Sequence, residues 1–105
     1  MRRAKTAEEC REEFLQYVRN IAEYWATLPD KTAQERCDGT VFSILNIFDG
    51  TSTELPAMNI SLLPHPDDKQ YRIKNDENWY RKGMVINYCH LHHMYYNKEA
   101  TNDQE

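Results

Sequence analysis

The feature that most constrains the fold is a long amphipathic helix predicted over residues 6–28. Its apolar side chains recur at spacings of three and four, which places them on one face of a 3.6-residue period. These side chains are Cys10, Phe14, Tyr17, Val18, Ile21, Trp25 and Leu28. Thr6 and Glu9 have the spacing of a capping box, and Pro29 ends the helix because a residue before proline avoids the α region. The opposite face is polar and should contact solvent.

A short second helix is predicted over residues 30–37, where Thr32 and Glu35 form another capping box and Gly39 provides a stop. The run 40–48 is rich in β-branched and aromatic residues, and both of its alternating faces are largely apolar. This pattern predicts a strand that is buried on both sides. A buried helix is the alternative, because a short apolar run cannot be assigned from its period alone.

Two further strands are predicted, over 58–63 and 84–88, and residues 89–96 either extend the last strand or form a short helix. The fold class is therefore predicted as α+β, with a long N-terminal amphipathic helix and a short second helix packed on a small antiparallel sheet. The open edges of such a sheet would permit pairing into a homodimer. We expect a single domain over 1–105, with frayed ends at 1–5 and 98–105.

The formal net charge of −4 argues against non-specific binding to nucleic acid or to anionic membranes. A local basic patch, formed by Arg72, Lys74, Arg81 and Lys82, is the one feature that favours nucleic acid. The three cysteines are odd in number and widely spaced, which is a poor disulfide framework. With no apolar leader and no run of 18 apolar residues, the sequence predicts a cytoplasmic protein with free thiols and no membrane partner.

A divalent metal site is one functional hypothesis, because imidazole and carboxylate groups are good ligands for zinc and similar ions. The candidate ligands fall in two groups: His65, Asp67 and Asp68, and His90, His92 and His93. Together they predict a metal-binding protein or a metal-dependent hydrolase, provided that the fold brings the two groups together. The alternative is that the histidines pack between tyrosines and that the aspartates cap a loop, in which case no cofactor is bound.

A protein-binding surface is the second hypothesis, since Trp, Tyr and Arg concentrate the binding energy of interfaces. The candidate contact residues are Trp79, Tyr80, Arg81, Tyr95 and Tyr96. The alternative for Trp79 is that it fills the core. No complete catalytic arrangement is visible, because Cys89 has no glycine-rich turn around it and no phosphate-binding loop occurs. The leading interpretation is a non-enzymatic accessory or interaction protein that self-associates.

Several segments also resemble those of small uncharacterised bacterial and phage proteins. The similarity runs from Arg36-Cys37-Asp38-Gly39-Thr40 to Asp49-Gly50, and continues through Leu55-Pro56, Pro64-His65-Pro66-Asp67-Asp68, Glu77-Asn78-Trp79-Tyr80 and Leu91-His92-His93-Met94-Tyr95-Tyr96. It covers roughly two thirds of the chain. The resemblance implies a prokaryotic or phage origin. It implies no reaction and no functional residues. Within the class of interaction proteins, a phage-type inhibitor of a host system is compatible with the size and acidity of the chain.

Overall fold

The computed structural model describes residues 2–96, so the predicted frayed end at 98–105 lies outside the described residues. Within that range the chain forms four α-helices. They are α1 (Ala7–Thr27), α2 (Ala33–Asp49), α3 (Asp68–Lys74) and α4 (Leu91–Tyr96). α2 contacts α1 on one side and α4 on the other, and we call these three helices the body. No helix in the described range is long and apolar enough to cross a lipid bilayer.

The predicted N-terminal helix is confirmed, including its start. The Glu9 backbone N–H donates to the Thr6 hydroxyl at 3.1 Å, and the Thr6 N–H donates to the Glu9 carboxylate at 2.8 Å. These two bonds satisfy backbone donors that the first turn leaves free. At the other end Leu28 is extended, as expected for a residue before proline. α1 therefore begins and ends where its local sequence places it.

The predicted buried strand at 40–48 is wrong, because this run continues the second helix as far as Asp49. Gly39 does not stop the helix. It is buried where α2 crosses α1, and a Cβ at this position would collide with the Trp25 ring. The apolar residues that resembled two strand faces instead contact two helices: Phe48 lies 5.9 Å from Phe14 of α1, between ring centroids, and Phe42 packs beside α4.

The α+β class is wrong as well, because the described residues contain no sheet. Segments 58–63 and 84–88 form no strand ladder with 40–48, although the Met58 N–H donates to the Phe48 carbonyl at 3.2 Å, and one antiparallel bridge joins Ser61 to Val85. Three backbone hydrogen bonds flank it: Leu62 N–H to Met84 O, Gly83 N–H to Leu62 O and Ile86 N–H to Ile60 O. Once 40–48 is helical, only two short segments remain, and two strands alone make a marginal ladder. The protein is helical in class.

Residues 60–86, which we call the arm, leave the body through this ladder and carry α3 between its two sides. α3 contacts none of the other described helices. Its partners are within the arm: the Lys69 ammonium lies 5.0 Å from the Trp79 ring centroid, and the Arg72 guanidinium lies 5.0 Å from that of Tyr80. Arg72 also pairs with Glu77 at 3.2 Å. The arm is thus organised by its own contacts rather than by packing on the body.

The apolar core of residues 2–96 is small. Ile47 is fully buried and Leu55 nearly so, whereas twelve large apolar or aromatic side chains are exposed. Seven of the twelve belong to the arm: Leu63, Tyr71, Ile73, Trp79, Tyr80, Met84 and Ile86. The radius of gyration is 17.6 Å, against about 13 Å for a compact domain of 100 residues. The chain by itself therefore leaves much of its apolar surface in contact with water.

Candidate functional site

Three histidines cluster where α4 begins. His90 precedes the helix, His92 and His93 lie in its first turn, and one ring nitrogen of each lies within 4.8 Å of the others. The His92 and His93 ring centroids are 4.1 Å apart, and the His90 and His93 rings stack at 5.6 Å. His92 is buried, whereas His90 and His93 are exposed. Residues 89–96, which the sequence left open between strand and helix, become helical from Leu91 onwards.

A buried carboxylate fixes the central histidine of this cluster. Asp49, the last residue of α2, lies with its Oδ2 atom 2.6 Å from His92 Nδ1. The same oxygen accepts a hydrogen bond from the His92 backbone N–H at 2.8 Å. The Asp49 side chain is fully buried and that of His92 almost so, so the contact is shielded from water. α2 and α4 are therefore joined by a polar contact between residues 43 positions apart.

The Asp49 carboxyl is held in its ionised form. Burial alone would raise the pKa of Asp49. Hydrogen bonds from the His92 backbone and ring, and from the Leu91 backbone, outweigh this effect. The pKa of Asp49 therefore falls below its ordinary value. Phe42 packs edge-on against the His92 ring, with centroids 5.5 Å apart. His92 is thus restrained by a charge on one side and by an aromatic ring on another.

Asn87 forms a second buried polar contact next to the cluster. Its side-chain oxygen accepts from the Ile60 N–H at 2.8 Å, and its amide group donates to the Met58 carbonyl at 2.6 Å and to the Phe48 carbonyl at 3.3 Å. One side chain thereby connects the end of α2 to both roots of the arm. Buried amides with three partners are costly to remove, because each partner loses its own hydrogen bond.

The second predicted ligand group does not join the histidine cluster. His65 is exposed, and its Nδ1 atom accepts a hydrogen bond from the Asp67 backbone N–H at 3.1 Å. The Asp67 carboxylate lies 3.8 Å from His65, and Asp68 pairs with Arg72 at 3.2 Å. None of the three belongs to the ligand group at α4. The six-residue metal site is therefore divided, and its three-histidine half is the part that the structure assembles.

The five predicted partner-contact residues also divide between two places. Trp79, Tyr80 and Arg81 lie on the arm and are exposed, with 47% of Trp79 and 53% of Tyr80 open to solvent. Tyr95 is half-buried in α4, where its hydroxyl donates to the Asp38 carboxylate at 2.7 Å and thereby has its pKa raised. Tyr96 packs on Phe42 at 5.6 Å while remaining largely exposed. Trp79 does not fill the core.

The body presents an acidic surface with a groove between its two long helices. α1 and α2 together contain eight acidic side chains, one of them the buried Asp49, and three basic ones, a net charge of −5, whereas the arm contains four acidic and five basic ones, a net charge of +1. The groove has a volume of about 470 Å³ and is lined by Tyr17, Ile21, Ser43, Asn46, Thr51, Ser52 and Thr53. The Trp25 indole N–H donates to the Ser43 hydroxyl beside it at 3.0 Å. The two parts of the molecule thus differ in sign of charge.

Sequence reasoning missed Asp49 and Asn87 as organising residues. Asp49 directly follows the predicted strand 40–48, and Asn87 lies within the predicted strand 84–88. A signal for Asn87 does exist: it is the one polar residue in the run Met84-Val85-Ile86-Asn87-Tyr88, and a polar group in an apolar run must find a partner when it is buried. Asp49 carries no comparable local signal.

No family model, curated protein or solved structure matches the chain. The resemblance to bacterial and phage proteins therefore stays a prediction.

Proposed function

We propose that this protein is a non-enzymatic interaction protein that works as a homodimer, in which the arm of one copy packs on the α1–α2 surface of another. The observation that carries the proposal is the arm itself. It holds seven of the twelve exposed large apolar side chains of residues 2–96, and its helix α3 contacts none of the other described helices. The arm has 27 residues. This length lies within the range of roughly 20–30 residues that each side of a standard protein interface contributes.

The chemistry of the arm is that of an interface centre. Aromatic residues and arginine carry most of the binding energy at interfaces, and Trp79, Tyr80, Arg72 and Arg81 lie close together in sequence on the arm. Lys69 and Arg72 already lie over the rings of Trp79 and Tyr80, so these four side chains are ordered before any partner binds. Ordering in advance lowers the entropy that association costs.

Charge favours a second copy of this chain as the occupant. The arm is net positive and the α1–α2 surface net negative, so the two surfaces attract each other between copies. A dimer in which each arm contacts the other body is isologous, so it buries both arms at once and closes without further growth. The small core supports the same choice, because a chain that buries so little apolar surface alone is stabilised by a copy that is always present.

The test is light scattering coupled to size exclusion over a concentration series. Wild-type protein should have a mass near twice the 12.5 kDa of the chain. Replacing Trp79 and Tyr80 together by alanine should raise the dimer dissociation constant at least about tenfold, the effect expected of interface hot spots. The matched control is Tyr88→Ala, which removes an aromatic that is 82% exposed but lies outside the arm.

Two outcomes would contradict the proposal. A wild-type protein that stays monomeric at every concentration would exclude a homodimer. A Tyr88→Ala effect as large as that of the double variant would place the interface away from the arm. A charge reversal is a further test. Arg81→Glu with Lys82→Glu should raise the dimer dissociation constant, and the difference in this constant from wild type should shrink as salt screens exposed charges.

We also propose that the protein is cytoplasmic and of bacterial or phage origin. The three cysteines are exposed and unpaired, which favours a reducing compartment. Labelling of all three thiols in protein taken directly from cells, without reductant, is the expected result. Protection of any of them would argue for an oxidising compartment.

A further inference from the structure

We propose that His90, His92 and His93 form a binding site for one divalent ion of the zinc type, with Asp49 as the carboxylate that orients His92. This site is independent of the dimer proposed above. It rests on three observations: the proximity of three imidazoles, the carboxylate behind the central one, and the exposure of the other two.

The three imidazoles are close enough to share an ion. Zinc binds histidine nitrogen at about 2.0–2.1 Å, so two ligands in a tetrahedral site lie about 3.3–3.4 Å apart. The ligand nitrogens of the cluster lie within 4.8 Å of one another. His90 and His93 are exposed at the surface, so rotation of their side chains can bring them closer without disturbing the core. His92, the buried member, supplies the fixed point of the site.

The contact between Asp49 and His92 is the arrangement that metal-binding histidines use. A histidine ligand donates its second ring N–H to a carboxylate or carbonyl, which fixes the tautomer and the ring orientation. In the proposed site Nδ1 is the nitrogen that faces Asp49 at 2.6 Å, which leaves Nε2 as the nitrogen for the ion. The fully buried Asp49 side chain contacts both the ring and the backbone N–H of His92, so the ring is held in one orientation before an ion binds.

The ligand chemistry selects the class of ion. Three neutral imidazoles suit zinc, copper, nickel and cobalt, whereas calcium and magnesium prefer oxygen ligands. Three protein ligands leave a fourth position for water or for an external group. His65, Asp67 and Asp68 take no part, so the inference covers binding of the ion and includes no hydrolysis.

Binding at this site would also stabilise the fold. The three ligands lie within residues 90–93, so an ion that bridges them would order the start of α4, which the Asp49–His92 contact connects to α2. A ligand that binds only the folded state raises the melting temperature in proportion to the logarithm of its concentration over its dissociation constant. Zinc should therefore raise the melting temperature of the wild-type protein, and a chelator should reverse the rise.

The experiment is a calorimetric titration of tag-free, full-length protein with zinc chloride. One equivalent per chain should bind to the wild type. His90→Ala with His93→Ala removes two exposed rings, so the fold should persist while zinc affinity falls at least about a hundredfold. His65→Ala and Cys89→Ser are the matched controls, and both should bind zinc as the wild type does.

Asp49→Asn separates orientation from ligation. With all three imidazoles retained, zinc affinity should fall by about 10- to 100-fold, the usual effect of losing a carboxylate behind a ligand. Circular dichroism at each step verifies that the variants keep their helices. Absence of saturable zinc binding in the wild type, or undiminished affinity in the His90/His93 double variant, would overturn the proposal.

Discussion

The body and the arm treat polar and apolar groups in opposite ways. In the body and at its junction with the arm, two buried polar side chains have close polar contacts: Asp49 contacts His92, and Asn87 bonds three backbone groups. In the arm, large apolar side chains such as Trp79 and Ile73 are open to water, while charged groups stack on the aromatic rings. The body resembles a small finished core, and the arm resembles one half of an interface.

This difference indicates which side chains should stabilise the monomer and which should contribute to association with a partner. A buried polar contact is valuable only in the arrangement that satisfies it, so the Asp49 and Asn87 contacts fix how α2, α4 and the arm roots meet. An exposed apolar side chain adds little to the stability of a monomer but contributes fully once a partner covers it. Substitutions of the same residue type in the two regions can therefore be compared directly.

The largest contrast is expected between two isoleucines. Ile47 is fully buried in α2, whereas Ile73 of α3 is 53% exposed. Ile47→Ala should lower the free energy of unfolding by about 2–5 kcal/mol, because it removes buried methyl groups and leaves a cavity. Ile73→Ala should change it by less than about 0.5 kcal/mol at concentrations where the monomer dominates. Urea denaturation of both variants measures the two values.

Varying the protein concentration further separates the effects of Ile47→Ala and Ile73→Ala. If the arm binds a second copy, Ile73→Ala should become more destabilising as concentration rises, whereas the Ile47→Ala effect should stay constant. Equal losses for the two variants in the dilute monomer would show that the arm is packed as tightly as the body. That result would contradict the distinction between them.

A smaller contrast is expected between two asparagines. Asn87→Ala removes a buried amide and leaves the Ile60 N–H and the Met58 and Phe48 carbonyls without that partner. The loss of a buried partner costs about 1–3 kcal/mol, so this variant should unfold at lower urea concentration. Hydrogen exchange at the Ile60 amide should accelerate in parallel, because this amide donates directly to the Asn87 oxygen.

Asn78→Ala is the matched control for Asn87, since Asn78 is exposed on the arm. Its effect on the urea midpoint should stay within about 0.5 kcal/mol. If Asn87→Ala were equally mild and the Ile60 amide kept its protection, the buried amide would not hold the arm to the body. The arm root would then have to be held by the backbone ladder alone.

The starts of the two long helices were predictable because their signals are local. Thr6 with Glu9, and Thr32 with Glu35, each form a capping box in which both bonds lie within three residues of sequence. The end of α1 before Pro29 is equally local. Such signals need no knowledge of the fold, which is why α1 was predicted correctly along nearly all of its length.

The rest depends on contacts between distant residues. The run 40–48 is apolar on two sides in either a strand or a helix, and only the packing of α1 and α4 on α2 decides between them. Gly39 was interpreted as a stop, but its role comes from Trp25, fourteen residues earlier. The clustering of the histidines was visible in the sequence, whereas the Asp49 partner and the separation from His65 were not, because each depends on the chain path over many residues.

The smallest expected effect concerns the first turns of two helices, α1 in the body and α3 in the arm. α1 begins with a capping box that Arg3 reinforces, whereas Asp67 at the start of α3 makes no side-chain cap. The Arg3 hydrogen bond first, and then those of Thr6, lower the pKa of Glu9 to about 2. Because the folded pKa lies below the unfolded one, the stabilising contribution is present above about pH 4.5 and is lost as the pH falls towards 2.

The Thr6 amide reports this titration, because it donates to the Glu9 carboxylate at 2.8 Å. Its proton chemical shift should stay nearly constant from about pH 6 to pH 3.5, a range in which an ordinary glutamate takes up most of its proton. Arg3→Ala should move the midpoint upwards, because it removes the largest cause of the low pKa, while Lys31→Ala, outside the cap, should leave it in place. A wild-type midpoint near pH 4.5 would mean that the capping box does not hold Glu9 in solution, and the start of α1 would then be no better fixed than that of α3.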